Sequence, residues 1–235
     1  MRINALGMFA AASALASLTA GGAEAKALRV LHAFLDGCDG ATSNAPVIPD
    51  QNGNLFGTAL QGGASNNGVV FEVAADGTES VLYSFAGGGG DGRRPESGLI
   101  SDGACNFYGT TRNGGGHGCG TYGCGTVFRL APDGAEKVLY AFTGERDGGE
   151  PYGGVVADSA GNLYGTTIAG GVDDDLSVVF KLSAKGKETV LHALDGANDG
   201  AWPETGVTLG SNGKLYGTAY AEGPDQWGTV FALKK

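Results

Sequence analysis

The sequence predicts an all-β fold, a four-bladed β-propeller, and three observations predict it. The 45 Gly and 7 Pro among 235 residues are far above the average of roughly 7% Gly and 5% Pro, so long helices are excluded. The string Leu55-Phe56-Gly57-Thr58 returns at Phe107, Leu163 and Leu215, with spacings of 52, 56 and 52 residues. The two ends of the repeated region carry complementary strand types. With 42% apolar residues the chain holds enough Val, Leu, Phe and Tyr for a core, and Gly lacks the every-third-residue period of a collagen.

The first 25 residues read as an export signal. Arg2 supplies the positive start, an Ala- and Leu-rich stretch follows, and Ala23-Glu24-Ala25 fits the small-x-small cleavage rule. The domain plan is a signal peptide at 1–25 and a single repeat domain at 26–235. After signal removal no stretch is long and apolar enough to span a membrane, and the expected location is periplasmic or extracellular.

Four units of about 52 residues fill 26–235, and fixed-period self-similarity of this length marks solenoids and propellers. Each unit offers four short strands, a to d, punctuated by Gly, Asp, Asn and Pro. In the third unit they are Gly154–Ala157, Leu163–Thr167, Val178–Leu182 and Glu188–Ala193. Consecutive apolar residues such as Val179-Phe180 imply strands covered on both faces. The domain begins with a d strand, Leu28 to Phe34, and ends with a c strand, Thr229 to Leu233. Pairing of these two closes the ring and removes both raw edges. The same pattern admits an open β-array or an eight-bladed ring made by two chains; a monomer is expected, with the dimer as the variant.

The words Asp-Gly-x-x-Pro, Gly-Asn-Leu-Tyr-Gly-Thr-Thr, Gly-Thr-Val-Phe and Val-Leu-x-x-Phe recur in order. Together they resemble the GloVer tandem repeat family of bacterial secreted or surface-displayed proteins. The resemblance implies a propeller-like exported repeat protein and brings no catalytic residues with it. Members of that family often carry a C-terminal anchor; the Leu233-Lys234-Lys235 end offers none, so tethering is not expected.

Function classes narrow by charge. Fifteen Lys and Arg against 25 Asp and Glu give −10, and without a basic stripe a phosphate-backbone partner is excluded. No nucleophile elbow, phosphate loop or zinc-protease helix motif occurs. In a ring, residues that recur in every blade build the blade, and those that break the pattern are the candidates for function. Gly57, Gly109, Gly165 and Gly217 are therefore structural, as are the d-strand positions His32, Tyr83, Tyr140 and His192. Asp39, Asp91, Asp147 and Asp199 open a turn whose carboxylate bonds a backbone N–H two residues on. Asp36 with Asp39, and Asp195 with Asp199, are weak calcium candidates that match no defined calcium loop; no other cofactor is expected.

The turn's Pro leads into strand a, at the mouth of the expected channel. There Glu96 and Glu204 follow Pro95 and Pro203, Arg94 and Trp202 precede them, and the first and third units place Val47 and Tyr152. Opposed carboxylates beside aromatic faces suit a sugar or a cation, and paired carboxylates are what glycoside hydrolysis needs. The leading expectation is a non-catalytic binding module for a carbohydrate or another envelope component. Its rivals are a carbohydrate-active enzyme of glycosidase or lyase type with paired Glu at the mouth, and a purely structural envelope protein. Cys119 and Cys124 are expected to form a disulfide across the longest b–c loop, in preference to zinc held with His117. Cys38 and Cys105 are not expected to pair.

Overall fold

The computed structural model describes residues 28–35, 37–88, 90–116, 118–171 and 177–235. The expected signal peptide, Asp36 and His117 lie outside the described residues. Leu31–Lys235 is one compact unit that contains every strand.

The unit is all-β, with a single short 3-10 turn at Gly120–Tyr122 among the described residues. Sheet 1 is built from β1 (Ile48–Pro49), β2 (Leu55–Ala59), β3 (Val69–Val73) and β4 (Glu79–Ser84) in that order. A small ribbon of β5 (Gly92–Arg93) and β8 (Asn113–Gly114) borders sheet 2. That sheet holds β6 (Ile100–Ser101), β7 (Phe107–Thr111), β9 (Thr126–Leu130) and β10 (Glu136–Ala141). Sheet 3 is β11 (Val156–Ala157), β12 (Leu163–Thr167), β13 (Val178–Leu182) and β14 (Glu188–Ala193). Sheet 4 has three strands, β15 (Thr208–Leu209), β16 (Lys214–Ala219) and β17 (Thr229–Lys234). All ladders are antiparallel, as meanders joined by short hairpins must be.

The repeated Gly has a steric cause. Gly57, Gly109, Gly165 and Gly217 pair in register with Phe71, Phe128, Phe180 and Phe231. The ring of that Phe lies across the glycine, and a Cβ on Gly57 or Gly165 would stand 2.6 or 2.7 Å from it. Each Phe then meets the end of the previous sheet's last strand: Phe85 packs edge-on against Phe128 at 5.2 Å and Phe142 against Phe180 at 5.1 Å. Three apolar clusters thus lie between successive sheets, around Phe85 and Phe128, Phe142 and Phe180, and Leu194 and Leu215. Thr side chains staple the same junctions: Thr58 Oγ1 donates to Ser97 O (2.8 Å), Thr110 Oγ1 to Gly153 O (3.0 Å) and Thr166 Oγ1 to Thr205 O (3.0 Å).

The expected closure differs. Leu28 to Phe34 is not a strand, and among the described residues nothing pairs with the outer edge of β17. Phe34 nevertheless seats on sheet 1, edge-on to Phe71 at 5.1 Å, in the way each outer-strand aromatic seats on the following sheet. Most of the segment around it is exposed, with Leu28 at 94%, Val30 at 70% and Leu35 at 84%. Sheet 4 keeps one bare face, with Val230 at 82% exposure where its counterpart Val179 is at 1%.

The recurring Asp turn also works differently. Asp91, Asp147, Asp199 and Asp39 reach back to accept from the N–H of Ala86 (2.6 Å), Thr143 (2.9 Å), Asp195 (2.7 Å) and Leu35 (2.9 Å). Tyr83 and Tyr140 donate their hydroxyls to Asp91 and Asp147 at 3.1 and 2.8 Å, and His192 bonds Asp199. His and Tyr interchange at this strand position because both put a polar tip on the carboxylate.

Candidate functional site

One backbone pattern recurs at the loop end of every sheet. Thr42, Arg94, Glu150 and Trp202 all adopt left-handed backbone, with φ of 60, 58, 52 and 54°. None is a glycine, and a side chain in this region costs of order 1 kcal/mol or more. Hydrogen bonds from the backbone N–H hold three of them: that of Arg94 donates to Asn67 O (2.8 Å), that of Glu150 to Cys124 O (2.7 Å) and that of Trp202 to Ser177 Oγ (3.1 Å). Their carbonyls accept from the first residue after the second strand of each unit, Leu60, Arg112, Ile168 and Tyr220 (3.0–3.2 Å). A fixed frame thus presents four different side-chain pairs.

This frame corrects one alignment. Counting from Thr42, and from β1 starting at Ile48 as β6 starts at Ile100, the residue equivalent to Glu96, Tyr152 and Glu204 is Asn44, not Val47. The first unit's Pro has moved to position 46, and alignment on the Pro misplaces the register.

At the junction of sheets 2 and 3 the frame assembles a charged cluster. The Glu96 side chain is 3% exposed. Its Oε1 lies 3.4 Å from Arg94 Nη2 and 3.5 Å from Arg112 Nη1 yet has no hydrogen-bond partner. Arg112 is itself clamped: its Nε and Nη2 both meet Glu150 Oε2 at 3.0 Å, and its guanidinium stands 5.4 Å over the Tyr152 ring. Burial works against the Arg112 charge, but the hydrogen bond and charge of Glu150, joined by Glu96, outweigh it and raise its pKa above the ordinary value. The Tyr152 phenol is raised chiefly by Glu96, as acceptor and as charge, with burial and the charge of Glu204 adding and Arg112 opposing. Tyr152 therefore feels both expected carboxylates.

The two carboxylates are not equivalent. Glu96 is buried among guanidiniums, whereas Glu204 is exposed beside Trp202, itself 46% exposed. Arg112 and Glu150 were not singled out by the sequence; the signal that points to Glu150 is its place before Pro151, matching Arg94 before Pro95.

The expected disulfide joins Cys119 and Cys124, which leaves neither thiolate to bind zinc. It lies directly under the Glu150 turn, since a Cβ on Gly149 would be 3.3 Å from Cys119 Sγ. Cys38 and Cys105 are unpaired and exposed. Asp195 is occupied by Asn198, through its backbone (2.8 Å) and its side chain (2.6 Å). Among the described residues no group of three or more His, Cys, Asp or Glu is placed to hold a metal ion, and no helix is long and apolar enough to cross a membrane.

A repeat described as the Gloeobacter/Verrucomicrobia repeat matches twice, over residues 17–122 and 117–235. The chain belongs to this repeat family. No curated protein matches it. Among solved structures it is similar to a gluconolactonase from Xanthomonas campestris, at 15% identity and a TM-score of 0.48, over 83% of this chain and 58% of that one. A structure described as a putative gluconolactonase follows at 14% identity and 0.45, over 80% and 62%. A luciferin-regenerating enzyme matches at 17% identity and 0.46, over 80% and 60%. The chain spans about three-fifths of the length of these structures. All three are described as enzymes; the expectation of a non-catalytic module is set aside in favour of its enzyme alternative, which rests on this chain's own residues. Likenesses this distant assign no activity to this chain.

Proposed function

We propose that the protein is an exported carbohydrate-active enzyme whose four sheets act as the blades of a propeller-like frame, with the reaction at their loop end. One observation carries this reading: the buried Glu96 carboxylate, whose Oε1 has two guanidiniums beside it and no hydrogen bond of its own. The two guanidiniums offset the cost of burying the charge, and an oxygen held by charge alone is free to accept a hydrogen bond from a bound ligand.

Two carboxylates in different surroundings divide roles. Glu96, fixed by its Arg partners, is the carboxylate that faces the positive charge developing at the anomeric carbon. Glu204, open to solvent and near enough for its charge to act on Tyr152, serves the leaving oxygen. Tyr152, its phenol kept protonated by the carboxylates around it and its proton directed at Glu96, accepts a hydrogen bond from a substrate hydroxyl. Trp202 offers a face for a sugar ring. The disulfide supports the exported location.

The test is release of reducing ends from a panel of neutral and acidic polysaccharides by the wild type, Glu96→Gln and Glu204→Gln. Turnover of at least one polymer, lost in the Glu96 variant, supports the reading; a wild type inactive on the whole panel removes it.

A further inference from the structure

A second feature lies at the hairpin end of the sheets, away from Glu96. In sheets 2 and 3 the Tyr that precedes the repeated Gly is paired across the ladder with a cation, Tyr108 with Arg129 and Tyr164 with Lys181. Each Tyr donates its hydroxyl to a hairpin Asp, Tyr108 to Asp102 (3.1 Å) and Tyr164 to Asp158 (2.9 Å). Lys181 stands 5.6 Å over the Tyr164 ring, and Arg129 donates to Asn106 through Nε (3.0 Å) and Nη2 (2.8 Å). Aromatic ring, cation and carboxylate thus complete one another within the blade.

Sheet 1 breaks this arrangement at both partners. Phe56 stands in place of the Tyr and Glu72 in place of the cation, and the two are paired in register. The hydroxyl that would meet Asp50 is gone, and so is the positive charge over the ring. In their place a cleft of about 730 Å³ opens between sheets 1 and 2, within the range of small-molecule sites. Phe56, Phe107 and Leu82 supply its apolar floor, with the two rings 4.6 Å apart and tilted by 34°. Asp50, Glu72 and Asp102 supply carboxylates, and among the described residues no Lys or Arg lines it.

We propose that this cleft binds a small organic cation carried on an apolar body, whose charge takes the place over Phe56 that Lys181 takes over Tyr164. An aromatic face attracts a cation, more so when the site sheds water, and three carboxylates at the rim select its sign. A neutral ligand would gain the floor and nothing from the rim; an anion would be repelled. The site is separate from the Glu96 cluster and does not depend on its chemistry.

The exposed Cys105 thiol lines the same cleft and reports occupancy. The experiment follows maleimide modification of Cys105 in the native chain by peptide-resolved mass spectrometry, with Cys38 as the internal reference. Benzyltrimethylammonium, its neutral carbon isostere and benzoate are titrated in turn. The cation is expected to protect Cys105 saturably, leave Cys38 unaffected, and bind roughly tenfold more tightly than the neutral isostere. Glu72→Lys installs the cation that the third unit carries at this position, and it should abolish protection while thermal unfolding stays cooperative. No saturable protection, equal affinity for the neutral isostere, or full protection in Glu72→Lys would each overturn the proposal.

Discussion

Sheets 3 and 4 are written in nearly the same words and live in opposite surroundings. Leu163-Tyr164-Gly165-Thr166 and Val178-Val179-Phe180 are buried throughout, while Tyr216 and Val230 in the fourth unit are 37% and 82% exposed. The difference reaches the loop end. Where sheets 2 and 3 meet, the frame buries Glu96 and clamps Arg112 on Glu150; on sheet 4 the same positions leave Trp202, Glu204 and Tyr220 exposed. The repeat therefore builds the frame, and coverage by a neighbour buries and pairs side chains in one copy that another copy leaves open.

The largest effect that separates the two sheets is in packing. Val179→Ala should cost about 2 kcal/mol by lost transfer and cavity terms, whereas Val230→Ala should stay within about 0.5 kcal/mol, as bare surface positions do. Urea unfolding of the two variants checks this, and equal costs would mean that sheet 4 has a covering face in solution.

Next comes the brace beneath Glu150. Cys119→Ser with Cys124→Ser removes a crosslink worth about 2 kcal/mol of loop-closure entropy. Because Cys124 O holds the Glu150 N–H, turnover should fall along with thermal stability. Trp202→Ala, on the unbraced side, should raise KM and leave the unfolding temperature unchanged; a lowered kcat instead would move Trp202 into the chemistry.

A smaller contrast is in pH. Burial, aided by Asp91 and Asp147, pushes Glu136 and Glu188 up to about 7 from 4.5, and among the described residues sheet 4 has no fourth strand to carry such a residue. The folded chain keeps protons there that the unfolded chain has lost, so this stability is complete below 4.5 and fades as pH rises through 7. The unfolding temperature should be higher at pH 5 than at pH 8, and Glu136→Gln with Glu188→Gln should flatten the slope.

Much of the molecule was legible in the residues. The period marks every unit, the Gly-Thr word names the strand that needs a close neighbour, and the Cys119–Cys124 pair follows from spacing and compartment. Glu96, Arg94 and Tyr152 stand out because they break the repeat. Arg112 and Glu150 do not, since they come from different words and meet only when a left-handed residue before Pro151 turns one toward the other. The first unit's Asn44 was hidden by a displaced Pro. Strand order told which edges match and Phe34 does reach Phe71, but the letters did not tell whether Leu28 to Phe34 would form a ladder with β17, and it forms none. The Phe56–Glu72 exchange was visible as letters but acquires meaning only through the ladder that pairs them.

The central claim is that the buried Glu96 carboxylate performs chemistry at the loop end. The most direct measurement is kcat for Glu96→Gln, on whichever polysaccharide the wild type cleaves, beside its unfolding temperature. The account predicts a fall of about 100-fold or more in a variant that still unfolds cooperatively. A folded Glu96→Gln protein with wild-type kcat would contradict it and leave Glu96 as a structural partner of its two arginines.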